Sequence, residues 1–188
     1  KLSLMDKWII SETNSLIEKV SNYLDDYVSC EPARAIADFV DTLSNWYVRR
    51  NRDRFWAKGM EKDKIDAYMC LYYALTNISK AVAPFVPFIA EEIYQNLVMQ
   101  MYKENETMDL FDDGIDKTLV KESVHLCDYP KYYNDLINDT IQNEMDEAIV
   151  CCELGRACRN SCNIKNRQPL SSMLIKSDVK FFPTNSTR

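Results

Sequence analysis

The chain has 188 residues, 46% hydrophobic and 28% charged, with a formal net charge of -6, which fits an ordinary globular protein with one sizeable core, or one domain and the start of a second. Its only glycines are Gly59, Gly114 and Gly155, too few for phosphate loops or dinucleotide fingerprints, which need several at fixed spacing, and a turn-rich all-β fold is disfavoured for the same reason. No run approaches the roughly 18 to 20 apolar residues of a membrane span.

The opening, KLSLMDKW, has neither an initiator Met nor a signal-peptide core, so the chain reads as a piece of a longer protein. The first predicted helix runs from about Ser3 to Tyr27, with Met5, Trp8, Ile9, Leu16, Val20, Tyr23, Leu24 and Tyr27 at helical spacing. A second starts near Pro32 and carries Ile36, Phe39, Val40, Leu43, Trp46 and Tyr47 inward. It runs on into an arginine strip, Arg49, Arg50, Arg52 and Arg54, with Lys58 just beyond and only Asp53 opposing them.

Continuing the apolar stripe at 100° per residue places Arg50 and Arg54 on the core side, and Arg49 and Arg52 on the outside. Arg50 and Arg54 are therefore expected to be held by carboxylates, carbonyls or a neighbouring domain, because an unpaired buried charge is very costly. Arg49 and Arg52 are the better phosphate contacts. Trp46 and Tyr47 are expected in the core, and Trp56, beside Lys58, is a candidate for stacking on an unpaired base. A solvated helix end laced with salt bridges is the plain alternative.

Residues 57 to 61 read as a turn, with Asp63 capping a third helix whose inward face is Ile65, Tyr68, Met69, Tyr72, Leu75, Ile78 and Val82. A fourth follows from about Pro87 to Tyr102, with Phe88, Ile89, Ile93, Leu97 and Met101 inward. The acidic stretch at about 103–121 reads as a surface loop, and SVHL at 123–126 as extended. A fifth helix spans about Asn134 to Asn163 with its charge divided, acidic at first and then basic through Arg156, Arg159, Lys165, Arg167 and Lys176. The helix dipole favours that order but does not require the basic run to continue past the helix, which makes it a second candidate polyanion contact. Met173 to Lys176 could begin a strand. The fold predicted is an all-α antiparallel bundle of about five helices over 1–163, with 164–188 as a junction or linker.

Catalytic chemistry is hard to place. His125 is the sole histidine, and Glu91 and Glu92 diverge by 100° on a helix, so neither a triad nor a paired acid and base is predicted. The seven cysteines include no Cys-x-x-Cys pair, so no metal site is predicted; Cys151, Cys158 and Cys162 share a stripe beside Gly155 and read as packing residues, reduced in a cytoplasmic compartment.

Five segments together resemble one family. LSNWYVRRNRDRFW at 43–56 is similar to the signature of the anticodon-binding domain of isoleucyl-tRNA synthetase, a class I aminoacyl-tRNA synthetase. LMDKWI at 4–9, PFVPFIAEEIYQNL at 84–97, SVHLCDYP at 123–130 and IKNRQPL at 164–170 resemble further segments in the expected order. The valyl relative shares the bundle but usually continues Trp-Tyr-Ile-Glu where this chain has Val48-Arg49-Arg50. Asp53 departs from the family's usual basic residue.

The resemblance implies a bundle that docks the anticodon stem-loop of an isoleucine tRNA, with Arg49, Arg52, Trp56, Lys58, Arg156, Arg159, Lys165 and Arg167 as RNA contacts. Trp46, Tyr47, Arg50 and Arg54 are assigned structural or interdomain roles. It also implies a parent enzyme that uses ATP and Mg²⁺ and carries catalytic and C-terminal domains as further partners. The His-Ile-Gly-His and Lys-Met-Ser-Lys-Ser signatures of the catalytic domain do not occur in this sequence, so the fragment is expected to be inactive alone. The competing readings are a structural bundle that docks parent domains and the equivalent domain of a valyl-type enzyme.

Overall fold

The structure, a computed structural model, describes residues 2–101 and 120–176. Most of the acidic loop expected at 103–121, and the tail at 178–188, lie outside them. The fold is an all-α helix bundle: α1 (Leu4–Asp25), α2 (Cys30–Thr42), α3 (Arg52–Trp56), α4 (Lys62–Val82), α5 (Pro87–Tyr94) and α6 (Asp139–Ser161). No strand occurs among the described residues, and 173–176 is irregular, because an extended segment with no partner strand leaves its backbone unpaired. The chain divides into two compact units, residues 1–138 and 139–188. No described helix is long and apolar enough to cross a membrane.

In the first unit α4 packs against α1, α3 and α5, and α1 against α2. The buried face of α4 differs in part from the expected one, keeping Ile78 and Val82. Ala67, Cys70, Ala74, Ile78, Ala81 and Val82 are buried, while Ile65, Tyr68 and Met69 are largely exposed. Small residues at the centre let neighbouring helices approach closely, and the larger side chains are left on the flanks. The same holds for α5, which buries Ala90 and Tyr94 and leaves Phe88 92% exposed, against the inward placement expected for Phe88 and Ile89.

α1 opens with a reciprocal capping box between Ser3 and Asp6, and α4 starts two residues early, with Glu61 rather than Asp63 at its N-cap. Tyr27, expected in the core, sits past the end of α1 in the left-handed region (φ 59°) and is fully exposed, because the Tyr27 and Val28 amides fold back onto the carbonyls of Leu24 and Tyr23. Gly59 (φ 78°) supplies the left-handed residue of the turn between α3 and α4.

Residues 121–138 form a strap across the first unit rather than an extended strand, and SVHL becomes a 3₁₀ turn at Val124–Leu126. Several helix groups hold it, among them the Tyr94 hydroxyl and the Gln95 amide, which donate to the Lys121 and Glu122 carbonyls at 2.9 and 2.7 Å. The Glu91 carboxylate accepts from the Ser123 hydroxyl and the Val124 amide, both at 2.9 Å. The Tyr129 hydroxyl donates to the Ala81 carbonyl, the Asn14 side chain accepts from the Tyr133 amide at 2.9 Å, and the Ser11 hydroxyl accepts from the Asn138 amide at 2.7 Å. This tethering delays the last helix to Asp139, five residues later than its periodicity suggests.

In the second unit α6 buries no residue, and Cys158 and Cys162, expected as packing residues, are exposed. The helix ends on left-handed Asn163, with the Ile164 amide donating to the Arg159 carbonyl at 2.8 Å.

Candidate nucleic-acid interface

The arginine strip is not one continuous α-helix. Between α2 and α3 the backbone widens into a π turn over Leu43–Val48, where the Arg49 amide reaches the Ser44 carbonyl five residues back. Such a turn holds one residue more than an α turn and sets every later side chain back by one position. The chain then bends at Asn51 (φ -92°, ψ 12°) before α3. The buried positions become Leu43, Tyr47, Asn51 and Phe55, four apart.

That shift corrects two expectations. Asn51 takes the core position that a regular helix assigns to Arg50, and Arg50 is exposed. Tyr47 is fully buried, whereas Trp46, expected beside it in the core, is only half-buried.

Arg54 lies inward, at the centre of a polar network. Its guanidinium forks onto Asp6 (Nη1–Oδ1 and Nη2–Oδ2, both 2.9 Å) and onto Asp63 (Nε–Oδ2 2.8 Å, Nη2–Oδ1 2.9 Å). Nη1 also donates to Asn51 Oδ1 at 2.9 Å. Asp6 is wholly buried and receives the Tyr47 hydroxyl at 2.8 Å and the Ser3 amide at 3.1 Å. Every lone pair of a buried carboxylate needs such a partner, and a bidentate arginine supplies the strongest.

Burial alone would raise the Asp6 carboxyl, but hydrogen bonds from Arg54, Ser3 and Tyr47 outweigh it and hold it below the ordinary value of 3.8. Burial and the hydrogen bond to Asp6 drive the Tyr47 hydroxyl well above 10.0, so Tyr47 remains a donor. Burial and the Asp6 charge likewise push the Cys70 thiol up to about 11.

A carboxyl depressed in the folded state binds fewer protons there than in the unfolded chain. Its stabilisation is therefore complete above the ordinary value and is lost as pH falls through the depressed one. The melting temperature should fall as the pH drops below about 5 and go on falling below the ordinary value of 3.8, and Asp6→Asn should flatten that part of the curve. An unchanged pH profile in Asp6→Asn would count against the network as the source. Glu91, depressed by hydrogen bonds from Gln95, Ser123 and Val124 that outweigh its burial, adds an effect of the same sign.

With Arg54 compensated by Asp6 and Asp63, the outward field of the strip comes from Arg49, Arg50, Arg52 and Lys58, all exposed. Arg49 and Arg52 line a cleft of about 510 Å³ with Ser44, Asn45, Val48, Phe55, Trp56, Tyr68 and Leu71. Its wall is aromatic: Phe55 meets Tyr47 and Tyr68 edge-on, with centroids 6.2 and 5.1 Å apart. The Arg52 guanidinium lies 4.1 Å from the Trp56 ring centroid, and Trp56 is 67% exposed. Lys64 donates to the Ala57 carbonyl at 2.8 Å and fixes the end of α3.

Among the described residues, the cleft lining holds no carboxylate, histidine or cysteine. It can offer cations, an amide and π faces, which is recognition chemistry rather than acid-base chemistry.

The second basic group lies in the other unit. Arg156, Lys165 and Arg167 are exposed, while Arg159 is half-buried and donates from Nη1 to the carbonyls of Lys165 (3.0 Å) and Gln168 (2.8 Å). Arg159 thus fixes the turn after α6. The residues that sequence reasoning missed are Asp6, Asn51 and Asn45. Ser3-x-x-Asp6 is a readable capping signal, but nothing local marks Asp6 as the partner of an arginine 48 positions away.

Comparison with known proteins agrees with this chemistry. Residues 6–174 match the family described as the anticodon-binding domain of tRNA ligase. The chain is 54% identical over 181 residues to an isoleucine–tRNA ligase of Clostridium tetani, covering 96% of this chain and 16% of that protein. It is 51% identical over 175 residues to the corresponding ligase of Clostridium novyi (93% of this chain, 15% of that protein). For a Dehalococcoides mccartyi isoleucine–tRNA ligase the identity is 41% over 171 residues (91% and 15%). The chain thus spans about one sixth of the length of these relatives.

Proposed function

The chain belongs to the family of anticodon-binding domains of tRNA ligases, and from that membership we propose that it is the tRNA-recognition domain of an isoleucine–tRNA ligase. It docks the anticodon stem-loop of an isoleucine tRNA while a catalytic domain of the parent protein, using ATP and Mg²⁺, aminoacylates the 3′ end. One observation carries this reading: Arg49 and Arg52 stand exposed on a cleft with Trp56, while Arg54, in the same strip, is given over to internal pairing. An acidic body limits non-specific adhesion, and a local cationic face positions the phosphate backbone.

Arg156, Lys165 and Arg167 are proposed as a second phosphate-contacting group, with Arg159 shaping the turn that carries two of them. The tRNA-recognition domain is proposed to run to residue 163, with 164–188 as a junction or linker, a reading supported by the end of α6 at Ser161 and the left-handed Asn163 after it. Exposed Phe88 and Ile89 favour a second role in docking parent domains, and that role is compatible with the first.

A mobility-shift titration of the folded 188-residue chain with an isoleucine tRNA tests the proposal. Association is expected to weaken steadily with salt, as counterion release requires. Absence of salt-sensitive binding in a chain shown to be helical by circular dichroism would overturn it.

A further inference from the structure

We propose that Cys158 and Cys162 form a two-thiolate site for a soft monovalent metal ion, of the cuprous class, at the end of α6. The site lies wholly within the second unit and does not depend on the RNA-docking reading.

The two thiols stand one hydrogen-bonded turn apart, since the Cys162 amide donates to the Cys158 carbonyl at 3.1 Å. Residues four apart on a helix face the same way, with Cβ atoms roughly 5–6 Å from each other. A disulfide needs about 3.5–4.5 Å between its Cβ atoms, so the helical turn holds this pair open. Two metal–sulfur bonds of roughly 2.3 Å each do span such a gap. Both residues are exposed and carry free thiols, so packing does not account for them.

The surroundings select the ion. Cys158 and Cys162 line a cavity of about 580 Å³, with Cys151 and Met173 as further sulfur and Leu154, Ile164 and Leu174 as apolar wall. Met173 lies over the gap left by Gly155, its Sδ 3.3 Å from where a Cβ would stand. Positions 151, 155, 158 and 162 fall on one face of the helix, so the sulfur atoms gather along it.

Among the described residues the lining offers no carboxylate and no imidazole, the donors of harder ions. No three thiol, imidazole or carboxylate groups among those residues are placed to hold one ion, which argues against tetrahedral zinc. Two thiolates beside a thioether are the donor set of a soft, low-coordinate ion.

Each thiol loses a proton as its sulfur–metal bond forms, and the metal keeps its oxidation state. The complex then carries one negative charge, which Arg159 and Lys176 on the same cavity offset. A bound ion braces the last turn of a helix that buries no residue, as small units with little core are commonly braced.

The test titrates the folded 188-residue chain with cuprous ion, anaerobically, against a chromophoric cuprous chelator. One ion per chain is expected, held more tightly as pH rises because binding releases protons. Alkylation after titration, mapped by mass spectrometry, should find Cys158 and Cys162 protected while Cys30 and Cys152, also exposed, are still modified. Cys158→Ser and Cys162→Ser should each abolish the one-to-one complex. Cys152→Ser, on the same helix but outside the cavity lining, should retain it. All three changes fall at exposed positions, and circular dichroism verifies that each variant keeps its helices. Zn²⁺ at roughly tenfold excess should not displace the cuprous ion.

Protection spread evenly over the exposed cysteines, or a complex that survives both serine changes, overturns the proposal in favour of indiscriminate thiol binding. Displacement by an equal concentration of Zn²⁺ overturns the assignment to a soft monovalent ion. Absence of a one-to-one complex in the folded wild-type chain overturns the site itself.

Discussion

Arg54→Ala should lower the stability of the chain by about 3–5 kcal/mol, measured as a fall in the urea midpoint at unchanged slope. The cost arises at Asp6 rather than at the arginine. Asp6 is fully buried, and its two oxygens are met by the Arg54 fork, the Tyr47 hydroxyl and the Ser3 amide. Removing the guanidinium leaves a carboxylate with no countercharge, so the site must either take up a proton or admit water. The Arg54 side chain is 18% exposed, so water entry places the loss toward the lower part of the range.

Lysine should not rescue it. A single ammonium cannot form two forks at once, and here the fork joins the first turns of α1 and α4 through Asp6 and Asp63. The double variant Asp6→Asn/Arg54→Gln, which removes both charges, should be less destabilised than Arg54→Ala alone. A loss below about 1 kcal/mol for Arg54→Ala would place the pair among surface bridges and defeat this account.

The second large effect concerns binding. Arg49→Glu/Arg52→Glu should reduce the affinity for an isoleucine tRNA at least tenfold at about 0.1 M salt and flatten the salt dependence by about two phosphate contacts. Both side chains are exposed, and neither takes part in the Arg54 network, so stability should change little. Arg34→Glu is a suitable control, because Arg34 is exposed on α2 and paired only with Glu31 among the described residues. Should tRNA affinity hold in the double variant while association with parent domains falls, the strip is a docking surface for protein, and the RNA reading fails.

The two halves of the arginine strip show how far the sequence could be read. A stripe continued at 100° per residue correctly turned Arg54 inward and Arg52 outward, but it misplaced Arg50. The error came from the π turn, which adds one residue and has no composition signature in LSNWYV. Large apolar residues also misled. Ile65, Met69, Phe88 and Ile89 looked like core, and the packed faces belong to Ala67, Ala74, Ala81 and Ala90, since helix spacing rewards the small side chain at the contact. The strap at 121–138 was unreadable for another reason. Its anchors, Asn14, Ser11 and the Ala81 carbonyl, are ordinary polar groups on distant helices.

By itself the amino-acid sequence determined the helical class, the family through five ordered segments, and the concentration of cations after Trp46, because periodicity, motif order and charge are local properties of the chain. Tertiary structure alone decided which cations are free to meet a partner. That choice depends on whether a carboxylate from a remote helix arrives within hydrogen-bonding distance, as Asp6 does for Arg54. Whether a countercharge arrives is settled by packing across dozens of residues, and local pattern does not encode it.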